Sequence, residues 1–253
     1  MRSINQEEKE RCQKFTDLEE MGEASLLKLQ QSSVLVVGAG GLGSGVLPLL
    51  CASGIGHIGV VEFDTVEKGN LQRQTLFTSQ DEGRAKIEAA AGRLQALNPS
   101  MHLEQFDQRL NQRNADGIIN GYDVVVDCTD NFQTRYLIND VCGRLKKPVV
   151  YGAISDYEGQ VMVLHHHMKA DLRNIYPELP DNEKLPDDEG EPGGSEYPGD
   201  NDVTNGIMPT LPHITGTIQA NETIKLLTGK GRLLDGEMLL LNVFSNDYHI
   251  IEL

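Results

Sequence analysis

Basic residues are scarce in this chain of 253 residues. There are 22 lysines and arginines against 38 aspartates and glutamates, which gives a formal net charge of −16. A general nucleic-acid-binding protein needs a basic face, so this balance argues against nucleic acid as a partner. Much of the acid lies in one stretch, and the net charge therefore says little about the face that carries a functional site.

Cysteine is also rare, and long apolar runs are missing. The chain has four cysteines and no C-x-x-C pair, so it contains neither a zinc-ribbon nor a redox motif. Cys51 and Cys128 lie in apolar runs, where a thiol packs as a small hydrophobic group. No apolar run reaches the roughly 18 residues of a membrane span, and the amino-terminal residues hold no apolar signal core. We therefore expect a cytoplasmic protein with no membrane partner.

Short apolar runs alternate with amphipathic stretches, which indicates buried strands alternating with helices. The predicted strands are Val34–Val37, Ile58–Glu62, Val124–Asp127, Val149–Tyr151 and Val161–Leu164. The predicted helices are Leu42–Ala52, Lys86–Leu97, Asn131–Leu145 and Thr210–Leu227. Met238–Val243 and Tyr248–Ile251 are expected to form a terminal hairpin. This pattern predicts an α/β fold: a Rossmann-like, doubly wound and largely parallel sheet with a C-terminal antiparallel extension.

We expect a single domain over residues 1–253. Residues 1–31 are polar, charged and free of proline, which predicts an N-terminal helical arm. Residues 171–205 combine acidic residues with repeated proline and glycine. Such a segment cannot bury enough apolar area to offset its ordering entropy, so we expect this acidic segment to be mobile. The run 181–202 within it is expected to be solvated or to lie over a bound substrate.

The segment Ser33–Gly43, SVLVVGAGGLG, predicts a strand that enters a glycine turn and then a helix. Gly38, Gly40 and Gly43 fit the pattern G-x-G-x-x-G. These glycines permit a tight turn, and the helix N-terminus offers free N–H groups to a phosphate. Glu62 ends the next predicted strand, where an acid would accept a hydrogen bond from a ribose hydroxyl. Up to this point an NAD-dependent dehydrogenase explains the pattern equally well.

Three charged residues favour a different chemistry. Arg73 lies just past a strand end, Lys86 begins a helix, and Asp130 follows the fourth predicted strand. Carboxyl ends of parallel strands meet at one edge of the sheet, which is where ligands bind. There, Arg73 and Lys86 would neutralise a triphosphate and Asp130 would hold Mg²⁺. Nucleotidyl transfer depends on such groups. An NAD-dependent oxidoreductase and a catalytically silent binding module remain as alternatives from other classes.

The segments GAGGLG, EFDTVEKGNLQRQ, GRAKIEAA, LNP and DCTDN together resemble the ThiF/MoeB/HesA family, relatives of the ubiquitin-activating enzymes. The resemblance runs from about Phe15 to Lys225. It implies ATP-dependent adenylation of the C-terminal glycine carboxylate of a small ubiquitin-like sulfur-carrier protein ending in Gly-Gly. A separate sulfur-donor protein would then supply the sulfur of a thiocarboxylate. A ThiS-like carrier in thiamine thiazole synthesis is the first expectation. A MoaD-like carrier in molybdopterin synthesis and a peptide carboxylate in natural-product synthesis are the alternatives.

The resemblance also implies site residues. Arg73, Lys86 and Asp130 would be catalytic, with Asp130 as the magnesium ligand. The residues that would bind ATP are Gly38, Gly40, Gly41, Gly43, Glu62, Asp64, Asn70, Gln72, Arg73, Lys86 and Asn131. In homodimers of the family an N-terminal arginine reaches into the partner's site. Lys14 matches that position and Arg11 lies one turn earlier, so a homodimer with one of these cations at the ATP site is expected.

Two departures from the family pattern matter. Many members carry two C-x-x-C pairs that bind structural zinc, whereas here Asp171–Asn174 replaces the first pair and no second pair occurs. We therefore expect no zinc, with ATP and Mg²⁺ as the only cofactors. Some members also use a cysteine in the mobile loop, and the matching residue here is Asp202. A covalent cysteine step is therefore not expected.

Overall fold

The computed structural model describes residues 4, 6–168, 170–177 and 206–253. Within these residues, eight strands form one sheet and nine α-helices surround it. The strands are β1 Ser33–Val37, β2 His57–Val61, β3 His102–Phe106, β4 Val124–Asp127, β5 Val149–Ser155, β6 Glu158–Leu164, β7 Glu237–Asn242 and β8 Asp247–Glu252. The helices are α1 Gln6–Arg11, α2 Gln13–Thr16, α3 Gly22–Gln31, α4 Gly41–Ala52, α5 Lys86–Leu97, α6 Ala115–Ile119, α7 Phe132–Leu145, α8 Leu172–Ile175 and α9 Leu211–Thr228.

The sheet has the order β3-β2-β1-β4-β5-β6-β7-β8. Strands β1 to β5 run parallel, and β6, β7 and β8 add to them as antiparallel strands. The predicted fold class is confirmed: a Rossmann-like, largely parallel sheet with a C-terminal antiparallel extension. No helix among the described residues is both long and apolar enough to cross a bilayer.

The apolar run of β1 explains why helices cover both faces of the sheet. Successive strand residues point to opposite faces. Val34 and Val36 therefore pack into one core cluster, which includes Leu47 of α4, while Leu35 packs into a second cluster, which includes Ile138 of α7. Both sides of the strand are buried, and the sheet must be wound with helices on each face.

The edge strand β3 and the short helix α6 were not predicted from the sequence. The side chains of β3 are exposed or only partly buried, so its run HLEQF lacks the apolar pattern of an interior strand. The predicted β5 and β6 were also too short, because glycines at Gly152 and Gly159 interrupt their strand patterns. A Cβ at Gly152 would lie 2.3 Å from Gln219, and one at Gly159 would lie 2.4 Å from Thr215. Glycine is needed at both positions because α9 packs directly on these strands.

The described part of the predicted N-terminal helical arm forms three short helices. Cys12 separates α1 from α2, and Leu26 and Leu29 of α3 are fully buried. Residues 171–177 were predicted as the start of a mobile loop. They instead include α8, which buries Leu172 in the core. The acidic run 181–202, with Asp202, lies outside the described residues.

Candidate active site

The predicted ligand-binding crevice, at the carboxyl ends of the parallel strands, lies at the point where the strand order changes direction. Strand β1 is flanked by β2 on one side and by β4 on the other. The chain therefore leaves the ends of β1 and β4 toward opposite sides of the sheet, and α/β sheets bind ligands at such a switch point. The glycine loop, residues 38–43, follows β1, and the acidic loop, residues 127–131, ends β4.

Steric contacts require glycine at two places in the glycine loop. Gly38 has φ of +98°, and a Cβ there would lie 2.7 Å from the carbonyl oxygen of Cys128. A Cβ at Gly43 would lie 2.3 Å from the carbonyl oxygen of Gly38. These glycines permit a tight turn after β1, and α4 begins directly after it at Gly41. The free N–H groups of this helix N-terminus face the crevice and can bind a phosphate.

Glu62 is buried and binds the glycine loop. Its Oε2 accepts a hydrogen bond from the backbone N–H of Ala39 at 2.8 Å. Its Oε1 accepts from the N–H groups of Phe63 and Asp64 at 2.8 and 2.9 Å. Glu62 therefore fixes the glycine loop to the end of β2. Because a carboxylate offers about four acceptor positions, it can still accept from a ribose hydroxyl, and that role stays a prediction.

Lys86 and Asp64 form an ion pair at the crevice. The Lys86 Nζ lies 3.2 Å from Asp64 Oδ2, and the Lys86 backbone N–H donates to the Asp64 carbonyl at 2.8 Å. The lysine side chain is only 6 % exposed, whereas the aspartate side chain is 50 % exposed. A desolvated ammonium thus faces one partly solvated carboxylate, which leaves it able to bind further negative charge.

The segment Asn70–Gln74 covers the open side of the glycine loop. Asn70 closes a capping box, because its Oδ1 accepts a hydrogen bond from the N–H of Glu67 at 3.2 Å. Arg73 Nη1 donates to the carbonyl of Gly69 at 3.2 Å. Gln72 is exposed. This segment and the glycine loop lie close together. A Cβ added at Gly40 would lie 3.6 Å from Gln74 Nε2, and one added at Gly41 would lie 4.0 Å from Arg73 Cγ.

The buried Asp127 stabilises the conformation of the acidic loop. Asp127 Oδ1 accepts hydrogen bonds from the N–H of Thr129 at 3.0 Å and from its hydroxyl at 2.7 Å. Arg135 Nη2 donates to the Thr129 carbonyl at 2.9 Å. Burial raises the pKa of Asp127, although the charge of Arg135 and the bonds from Thr129 favour the ionised form. These contacts fix the loop, and Asp130 remains exposed on it.

Asn131, rather than Asp130, caps α7. Its Oδ1 accepts a hydrogen bond from the N–H of Thr134 at 2.9 Å, and its Nδ2 donates to Asp130 Oδ1 at 3.3 Å. The capping role at the start of α7 therefore falls to Asn131 and leaves Asp130 without it. Asp130 therefore keeps an exposed carboxylate for a ligand. The predicted contact of Asn131 with adenosine stays a prediction.

Arg11 does not lie beside the glycine loop of its own chain. Arg11 ends α1, and its Nη1 donates to the carbonyl of Ala52 at 3.2 Å. Ala52 ends α4, a helix of 12 residues that begins at the loop. Such a helix is about 18 Å long, so the guanidinium lies far from the crevice. Lys14 is exposed on α2. If Arg11 serves an ATP site, that site belongs to another subunit.

Helix α9 supplies site residues that were not identified from the sequence. A Cβ at Gly41 would lie 3.1 Å from Pro212, and His213 Nε2 lies 3.1 Å from the carbonyl oxygen of Arg73. Gln219 is fully buried, and its Nε2 donates to the Asp127 carbonyl at 2.7 Å. One helix therefore contacts the glycine loop, the Arg73 segment and the acidic loop. Polar residues occur all along α9, so its sequence does not distinguish these residues from the others.

The donor set suits Mg²⁺ better than a metal bound by protein alone. Among the described residues, no group of three or more histidines, cysteines, aspartates and glutamates is arranged to hold a metal ion. Mg²⁺ usually binds one or two carboxylates together with substrate phosphates and waters, and the exposed Asp130 offers such a carboxylate. Cys128 lies near the loops but is buried. Burial raises its pKa well above the usual range, so its thiol is unreactive.

Comparisons with known proteins agree with this geometry. The profile of the ThiF family matches residues 13–253. A sulfur carrier protein adenylyltransferase of Thermus thermophilus is 40 % identical over 247 residues, covering 96 % of this chain and 86 % of that protein. A probable molybdopterin-synthase adenylyltransferase of Porphyra purpurea is 39 % identical over 218 residues. That match covers 86 % of this chain and 54 % of the relative, so the chain spans about half the relative's length.

A solved structure shares the fold. The crystal structure of PaaA superposes with a TM-score of 0.80 at 20 % sequence identity, covering 100 % of this chain and 75 % of that chain. At this identity the likeness establishes the fold alone. The sequence matches extend over nearly the whole chain and include both loops at the switch point. The chain belongs to the ThiF family, a family of ATP-dependent adenylyltransferases.

Proposed function

We propose that this chain adenylates the C-terminal glycine carboxylate of a small ubiquitin-like sulfur-carrier protein that ends in Gly-Gly. One observation carries the proposal most directly. The N-terminus of α4 begins at the switch point of the sheet, the desolvated ammonium of Lys86 lies beside Asp64 after β2, and Asp130 is exposed on the loop that ends β4. A dehydrogenase needs only the first of these groups, whereas nucleotidyl transfer uses all three.

The reaction is a displacement at the α-phosphate of ATP. A carboxylate oxygen of the carrier forms a bond to the α-phosphorus, and the bond from that phosphorus to the bridging oxygen of the β-phosphate breaks. Pyrophosphate leaves with the electron pair, and the carrier becomes an acyl-adenylate. Arg73 and Lys86 would stabilise the negative charge that moves onto pyrophosphate, because a cation beside a phosphate oxygen favours the charge that develops there.

Further site residues would bind ATP and its metal ion. The N–H groups of Gly40 and Gly41 would contact phosphate oxygens, and Glu62 would accept a hydrogen bond from the ribose. Asp130 would hold Mg²⁺, which would neutralise phosphate charge. The predicted homodimer would bring Lys14 of one subunit, which is exposed on α2, to the site of the other.

Two carriers are candidates for this reaction. We place a ThiS-like carrier of thiamine thiazole synthesis first. A MoaD-like carrier is the second candidate because the Porphyra relative, named a probable molybdopterin-synthase adenylyltransferase, is 39 % identical. Both carriers end in Gly-Gly, and the same phosphate-binding residues serve either one. Contacts with the folded part of the carrier must then decide between them.

ATP–pyrophosphate exchange tests the proposal. Purified protein is incubated with ATP, Mg²⁺ and labelled pyrophosphate, and with a ThiS-like or a MoaD-like carrier. Each carrier is matched by a variant that lacks its final glycine. Exchange should require the intact carrier, and mass spectrometry should find the carrier heavier by one AMP. The carrier assignment would be refuted if no exchange occurred with either carrier. Nicotinamide binding in a fluorescence titration with NADH would favour the oxidoreductase alternative.

A further inference from the structure

The start of α9 is fixed against the glycine loop by backbone contacts. A Cβ at Gly216 would lie 2.6 Å from the carbonyl oxygen of Leu42, and one at Gly45 would lie 3.2 Å from the Cα of His213. Helices α4 and α9 therefore touch with no side chain between them. Because protein interiors are closely packed, α9 cannot shift without moving the glycine loop. Its first turn is thus a rigid reference point beside the phosphate-binding site.

His213 connects this reference point to the segment that carries Arg73. Its Nε2 lies 3.1 Å from the carbonyl oxygen of Arg73 and 3.4 Å from Oγ1 of Thr75. A carbonyl oxygen can only accept a hydrogen bond, so the proton of the ring must be on Nε2 for this contact to form. The histidine is partly buried and stands 140 residues along the chain from Arg73.

We infer that His213 is a positioning residue for adenylation: its hydrogen bond holds the Arg73 backbone so that the guanidinium faces the phosphates of ATP. The inference rests on the proposed function, because it takes Arg73 to be a phosphate ligand. Arg73 lies in a turn just after a short 3-10 helix, Lys68–Asn70, rather than in a long helix or strand. Such a segment needs an outside contact to keep one conformation. A misplacement of about 1 Å at a reacting group costs on the order of 10²-fold in rate.

Two substitutions separate the hydrogen bond from simple packing. His213→Leu keeps a side chain of similar size but removes the donor, whereas His213→Gln restores an N–H at about the same distance from the backbone. The Kd for ATP with Mg²⁺ is measured by equilibrium dialysis, and pyrophosphate exchange is measured with the carrier. We expect His213→Leu to lower kcat/KM about tenfold or more and His213→Gln to recover most of that loss. His249→Leu, at an exposed histidine of β8, is the matched control and should behave like the wild type.

A double-mutant cycle with Arg73→Ala shows whether His213 acts through Arg73. If it does, His213→Leu should have almost no further effect on the Kd for ATP once the guanidinium is gone, because coupled residues are not additive. ATP binding needs no carrier, so this cycle can be read even if both candidate carriers fail in exchange and the proposed function falls. If the leucine variant does not fold, His213→Asn replaces it, since its shorter amide cannot span the distance.

Two results would overturn the inference. One is an equal effect of His213→Leu on ATP affinity in the wild-type and Arg73→Ala backgrounds, which would mean that the histidine acts only on general packing. The other is equal activity of the leucine and glutamine variants, which would mean that the donor is irrelevant. A loss in the leucine variant that is recovered by glutamine and absent in the Arg73→Ala background would establish the positioning role.

Discussion

Lys86→Met is the substitution that separates catalysis from folding most clearly in this site. Methionine keeps an unbranched side chain of similar length but removes the ammonium. The Lys86 side chain is 6 % exposed and its Nζ lies 3.2 Å from Asp64 Oδ2. Its buried stem therefore finds a similar apolar replacement, and only the charge and its ion pair are lost.

The two effects of this substitution differ in size. The Asp64 side chain is 50 % exposed, so water can solvate its carboxylate after the lysine is gone. An ion pair with one solvated partner contributes about 0–1 kcal/mol to stability. Loss of one cation that faces the transferring phosphates should cut exchange by at least about 10²-fold, which corresponds to about 2.7 kcal/mol of transition-state stabilisation.

Pyrophosphate exchange and urea unfolding measure the two effects on the same samples. Lys28→Met is the matched control. The Lys28 Nζ donates to the Thr228 carbonyl at 2.6 Å and joins α3 to the end of α9, away from the crevice. This control should lose about 1 kcal/mol of stability and keep its activity. The reasoning would be refuted if folded Lys86→Met protein exchanged pyrophosphate at a rate close to that of the wild type.

The remaining predictions concern the metal, the thiols and the oligomer. Protein purified without an affinity tag should contain well under one zinc per chain, because Asp171–Asn174 replaces a C-x-x-C pair; a stoichiometric zinc that resists chelation would contradict this. A folded variant without cysteine should still adenylate its carrier, since all four thiols are buried and burial raises the pKa of each one; lost exchange would reveal a covalent step. Mixed Lys14→Ala and Arg73→Ala proteins should regain partial activity after subunit exchange, because a two-fold dimer would then hold one intact site. No recovery, with mixed dimers confirmed by mass, would place Lys14 outside the partner's site.

The sequence was informative where a local pattern determines local structure. The apolar run of β1 and the glycines that follow it predicted a strand, a tight turn and a helix, and all three are present. Apolar interior strands were found for the same reason. The edge strand β3 was missed because a half-exposed strand carries no continuous apolar run. The predicted β5 ended too early, before Gly152. Glycine is needed at that position because the side chain of Gln219 packs against it, and a strand pattern does not show such a contact.

The candidate residues at strand ends were also accessible from the sequence, because the carboxyl ends of parallel strands meet at one edge. That rule predicts that Arg73, Lys86 and Asp130 lie at one crevice once the strands are correctly identified. It gives no information on their partners. The ion pair of Lys86 with Asp64, and the cap that Asn131 rather than Asp130 provides, follow from side-chain positions.

The sequence by itself therefore determined the fold class and the family, and it predicted the kinds of chemical group at the site. Only the tertiary structure decided which groups touch. His213 contacts the Arg73 carbonyl from 140 residues away, and Gln219 contacts Asp127 from 92 residues away. Periodicity and motif spacing report on neighbours within a few turns of the chain. Contacts between distant segments arise from the packing of α9 across the sheet, because they form only after the intervening strands and helices have taken their places.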